Sequence, residues 1–145
     1  MKKVLSFLLI CSMLLVCISV CAEDTKEALQ KKLLEEQGLT FLGNVPNDAT
    51  SGWRLSEYTS KNGPETFALD YYHAYIEEGD VLHALINKNL GITVRVSAST
   101  LFGVVSITIF KYHQDEEKDA KVLFDGNPIE KYEVDMESGL IEKIE

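Results

Sequence analysis

The spacing of apolar positions changes several times along the chain, and each change predicts an element. Residues 4–20 form an almost unbroken apolar run. Between Lys26 and Glu36 the apolar positions thin to Ala28, Leu29, Leu33 and Leu34 among charged residues, a narrow stripe on a predicted helix. Asp24 or Thr25 can cap this helix, and Gly38 stands where a glycine commonly stops one. The stripe suits a spacer or loosely docked helix; the alternative is an amphipathic segment that binds a partner. Residues 41–52 contain Gly43, Pro46, Asn47, Asp48 and Gly52, turn chemistry that predicts a loop. Residues 53–58 predict a short strand, and Lys61-Asn62-Gly63-Pro64 is a further break.

From residue 65 to about residue 78 the pattern predicts a long helix, with Pro64 where a helix start tolerates proline. Phe67, Ala68, Leu69, Tyr71, Tyr72, Ala74, Tyr75 and Ile76 cover most of its circumference, so it must itself be covered. Thr66, Asp70, His73 and Glu77 make its one polar stripe. The period then falls to two. Residues 81–87 predict a strand, and Ile92, Val94, Val96 and Ala98 alternate with Thr93, Arg95, Ser97 and Ser99 in the next. Val105, Ile107 and Ile109 alternate with Ser106, Thr108 and Phe110 in a third, and the short breaks between them predict antiparallel hairpins. Residues 115–124 predict a short helix; Tyr132, Val134 and Met136 predict a strand, and residues 140–144 a final one. The expected fold class is α+β: one long helix packed across an antiparallel β-meander, in the manner of cystatin-like folds, with a short helix before the last strands.

The first 22 residues combine a basic start (Lys2, Lys3), the apolar run and small residues at Val20 and Ala22, the build of a secretory signal peptide. The expected division is therefore a signal at 1–22, an N-terminal helix or spacer at 23–44, and a single domain at 45–145. Cys11, Cys17 and Cys21 all lie in the signal, so the mature chain must hold together by its core alone. The expected location is extracellular, with no membrane insertion after cleavage; the alternative is a surface lipoprotein anchored through Cys21. Ile18-Ser19-Val20 before that cysteine lacks the small residue that lipoprotein cleavage wants next to it.

Charge narrows the partners. Loss of Lys2 and Lys3 leaves 12 basic against 23 acidic side chains, a net charge near −11. Such a surface repels phosphate backbones and anionic lipid heads, which excludes nucleic acid as an expected partner.

Candidate chemistry is sparse. Asp70, His73 and Glu77 share one side of a helix at spacings that suit a divalent metal or a His–carboxylate acid–base pair. The same stripe is what any amphipathic helix exposes, and no H-E-x-x-H accompanies it. His83 and His113 add scattered imidazoles. No serine sits in a G-x-S-x-G context and no glycine-rich phosphate loop follows a strand, so no enzyme, catalytic residue or cofactor is expected. Tyr71, Tyr72, Tyr75, Phe110, Tyr112 and Tyr132 suit either core or the lining of a groove. Phe110 and Tyr112 lie on the strand face opposite Val105, Ile107 and Ile109; were that face open, they would mark an interaction surface.

Two stretches carry a resemblance. Ala68-Leu69-Asp70-Tyr71-Tyr72 with Tyr75, then His83-Ala84-Leu85-Ile86-Asn87, then residues 116–124, resemble a group of small exported domains of Gram-positive, gut-type bacteria. That resemblance covers roughly residues 45–144 and implies no activity, cofactor or site. Residues 132–141, Tyr-Glu-Val-Asp-Met-Glu-Ser-Gly-Leu-Ile, resemble the terminal hairpin of PepSY domains, which implies export and, in some members, peptidase inhibition. The expected function is a small exported, non-enzymatic domain binding a protein or peptide through an exposed sheet edge or the Phe110/Tyr112 face. The alternatives are metal binding at Asp70, His73 and Glu77, or a small-molecule carrier lined by the tyrosines.

Overall fold

The computed structural model describes residues 25–46, 52–76 and 82–145. Among them seven strands form one sheet in chain order: β1 (Thr40–Pro46), β2 (Gly52–Glu57), β3 (His83–Asn87), β4 (Ile92–Ser99), β5 (Val104–Lys111), β6 (Glu130–Asp135) and β7 (Ile141–Lys143). All neighbours are antiparallel except β2 and β3, which run parallel. A parallel pair needs a crossover, and here the crossover carries helix α2 (Ala68–Tyr75). Helix α1 (Lys26–Gln37) precedes the sheet. The fold class is α+β, with two α-helices among the described residues and a mostly antiparallel sheet.

The period-two alternation decides which way the sheet faces. Val94, Val96, Val105, Ile107, Ile109 and Val134 point to one side and pack with Leu85 of β3 beneath the two helices. Leu29 and Leu33 of α1 and Ala68, Tyr71 and Ala74 of α2 complete that core. On the other side Val45, Leu55, Ala84 and Ile86 form a smaller core under Ala120 and Leu123. Strand β3 is buried at every position because it alone is roofed along its whole length on both faces.

The single long helix expected at residues 65–78 is corrected. Pro64–Thr66 is a 3₁₀ turn, Phe67 leaves helical dihedrals (φ −129°), and the α-helix runs only eight residues before Ile76 turns extended (ψ 125°). Its apolar excess arises because α1 covers a second side: Gln30 Nε2 donates to the Ala74 carbonyl (2.7 Å), and Lys32 pairs with Asp70 (3.2 Å). Within the segment 23–44, expected as a helix or spacer, residues 23–24 lie outside the described residues, Lys26–Gln37 is a helix that joins the core, and residues 40–44 belong to the sheet. The loop expected from residue 41 begins as β1, an edge strand that tolerates Pro46 and carries a bulge at Gly43 (φ 132°). The short helix expected at residues 115–124 is two 3₁₀ turns, Gln114–Glu117 and Ala120–Val122. Between them Asp119 sits extended (φ −137°) and caps the second turn by accepting from the Lys121 N–H.

Candidate binding surface

The segment 114–124 divides the sheet face opposite the helices. Over β2, β3 and the inner ends of β4 and β5 it forms a roof. Phe110, 8% exposed, packs against the Phe124 ring at 5.2 Å, and Trp53 meets the same ring edge-on at 5.1 Å. Tyr112 packs on this cluster, and its hydroxyl donates to Glu117 at 2.5 Å. The open aromatic face expected at Phe110 and Tyr112 is thus corrected. Phe110 is buried and Tyr112 half-buried, because the two 3₁₀ turns fold back onto β5 instead of standing beside it.

Beside that roof runs a shallow groove of about 370 Å³ lined by Lys88, Tyr112, Gln114, Glu117 and Lys118. Lys88 and Glu117 of this lining are paired. Lys88 bridges Glu117 (3.0 Å) and Glu57 (3.5 Å). The Tyr112 hydrogen bond, reinforced by Lys88, holds the Glu117 carboxyl below the usual range, and Glu117 in turn raises Lys88. Burial, then Glu117, raises the Tyr112 hydroxyl. Beneath the roof Glu116 is fully buried; the Thr93 hydroxyl donates to Oε2, and Oε1 has no hydrogen-bond partner among the described residues. Desolvation raises its carboxyl above the usual range.

The remaining candidates do not gather into one group among the described residues. Asp70 is engaged by Lys32, His73 is exposed and lies against the Tyr72 ring at 5.2 Å, and Glu77 lies outside the described residues. His83 is buried in β3, its Nδ1 3.0 Å from the Tyr71 hydroxyl. His113 lies exposed at the start of the first 3₁₀ turn. Among the described residues no three His, Cys, Asp or Glu side chains gather in a metal-binding group. The tyrosines divide between layers: Tyr71, Tyr72 and Tyr75 under the helices, Tyr112 on the opposite face. Tyr75 and Phe41 flank the Arg54 guanidinium, at 5.1 and 4.6 Å.

Beyond the roof, the outer halves of β4 to β7 are open. Their side chains on that face are Ser97, Ser106, Thr108, Glu133, Asp135 and Glu142, with Arg95 and Lys131. At one end the β4–β5 and β6–β7 turns are tied together by the Met136 N–H donating to the Gly103 carbonyl (2.8 Å). That end exposes Leu101 (85%), Phe102 (76%) and Leu140 (69%). Val104 and Leu140 also line a shallow groove of about 340 Å³ with Glu133, Asp135, Ser138 and Glu142. From the sequence pattern Leu101 and Phe102 predict only a turn; two large apolar side chains in a hairpin tip are the signal the sequence carries for this surface.

Among the described residues no helix is long and apolar enough to cross a membrane. Comparison with protein-family models, curated proteins and solved structures finds no match.

Proposed function

We propose that this protein is a small exported, non-enzymatic module that binds another protein or a peptide through the open end of its sheet. The observation that carries this reading is the apolar group at the two tied hairpin ends. Leu101, Phe102 and Leu140 are largely exposed on two turns tied to each other, and exposed apolar side chains grouped at one end of a sheet mark contact surfaces. The leader at residues 1–22 and the acidic mature chain support export and disfavour nucleic acid. The PepSY-like sequence at residues 132–141 falls on the hairpin that presents Leu140, which accords with a partner seated there.

The test places a photo-crosslinking amino acid at position 102 or, as a control, at Lys31 on the exposed side of α1, in the organism that makes the protein. Adducts from position 102 and not from position 31 are expected. Equal labelling at both, or none at 102, overturns the reading. The native mass of the exported chain tests the address. A start at Glu23 means free release, and a diacylglyceryl group on Cys21 means a lipoprotein.

A further inference from the structure

The sheet has two edges, and they differ in how they are finished. Strand β1 is blunted by the bulge at Gly43, by Pro46, and by Phe41 lying against Arg54. Strand β7 has no proline or bulge, and all three of its residues are exposed. The hydrogen bonds from Asp135 N–H to the Leu140 carbonyl and from Ile144 N–H to the Lys131 carbonyl fix its register. By the alternation of an antiparallel ladder, the backbone groups of Ile141 and Lys143 then face away from β6, unpaired in this sheet.

The charges beside that edge are unbalanced. Glu133 and Glu142 stand directly opposite each other across β6 and β7, a like-charge arrangement that disfavours the pair. Among the described residues neither has a cation within salt-bridge distance. The two lysines of this hairpin are already engaged, Lys131 with Glu145, and Lys143 with Glu130 (2.7 Å) and the Tyr132 ring (5.7 Å). Asp135 adds a third carboxylate, held ionised by the Ser138 hydroxyl (2.6 Å) and N–H (2.7 Å). The face bearing Glu142 is thus acidic, while the opposite face of β7 presents Ile141 and, beside it, Lys143.

We propose that β7 takes up an extended segment of a basic partner protein as an eighth strand, its residues alternating basic and apolar. Main-chain hydrogen bonds to Ile141 and Lys143 hold the segment. Its basic residues fall on the face of Glu133 and Glu142, and its apolar residues lie on the face of Ile141. This rests on the binding-module reading and names the chemistry of its partner.

The test titrates the exported protein with a nine-residue capped peptide alternating Arg and Val. The controls are the same residues in block order and an alternating Glu–Val peptide. Anisotropy measures affinity, and backbone amide shifts locate the contact. The alternating Arg–Val peptide is expected to bind, with shifts centred on Ile141 and Lys143. Ile141→Pro, which removes an outward N–H, is expected to abolish binding. Glu133→Gln with Glu142→Gln, which leaves the backbone intact, should weaken it about fivefold. Equal affinity for alternating and block peptides means bulk charge attraction and overturns the proposal, as do shifts centred elsewhere. Absence of peptide binding while crosslinks persist at position 102 overturns strand addition and leaves the module reading standing; loss of both removes that reading too. Self-association prevented by Ile141→Pro makes a second copy the occupant, and likewise overturns the proposal.

Discussion

Glu116 carries its carboxyl out of reach of water, with one oxygen bonded by Thr93 and the other without a hydrogen-bond partner among the described residues. A buried charge without a full set of partners costs stability, so the native state favours the protonated form. The folded carboxyl therefore binds its proton above the ordinary value of 4.5, and the unfolded chain releases it first. From about pH 4.5 upward this group lowers stability as pH rises, because the native state holds the extra proton. Glu116→Gln is expected to flatten that decline. The variant's melting temperature should exceed the parent's at pH 7, with the gap closing toward pH 4; a gap independent of pH would show that the charge is not the cause. Local chemistry of other kinds was legible in the sequence. Thr25 caps α1 by accepting from the Ala28 N–H, and Gly38 ends it with φ +60°, as the residue types foretell. Burial of Glu116 was not legible, because an acidic residue between charged neighbours reads as solvated until a sheet is placed under it.

At the scale of elements the two helices are one packing unit. Leu33 is 2% exposed against α2 and the sheet, whereas its neighbour Leu34 is 51% exposed. Leu33→Ala is expected to cost about 2–5 kcal/mol in denaturant unfolding, and Leu34→Ala less than about 0.5 kcal/mol. Equal small effects would return α1 to the role of a spacer. The narrow stripe on α1 gave little warning of this, because a helix that docks on another helix needs only two buried positions. Phe110 presents the same problem on a strand. Its alternation placed it correctly on the face opposite Ile107 and Ile109. Whether that face met water depended on where residues 114–124 lay down, a contact that periodicity does not encode. Deleting the anchor of that roof by Leu123→Ala is expected to destabilise the fold by about 2–4 kcal/mol and to expose Phe110, seen as altered aromatic proton shifts.

Over the whole molecule, the sheet grades from a doubly covered centre to open edges. Native-state amide exchange should be slowest in β3, β4 and β5 and fastest in the outward groups of β7, since opening there breaks few contacts. Protection of Ile141 and Lys143 as strong as that of β4 would show the edge already paired, in conflict with strand uptake. Chain order in the sheet reflects hairpin connections that are short and therefore favoured. The single parallel step at β2–β3 is the exception, and it is what brings α2 across the face beneath α1.

The sequence by itself determined the α+β class and the alternation of β4 and β5. These follow from local composition and from periods of two and 3.6, which neighbouring residues impose on one another. The tertiary structure alone decided the place of β1 in the sheet, the docking of α1, the roof over Phe110 and the position of Glu133 and Glu142 opposite each other beside the β7 edge. Each of those depends on which distant segments meet, and burial and charge balance are properties of the meeting rather than of the residues.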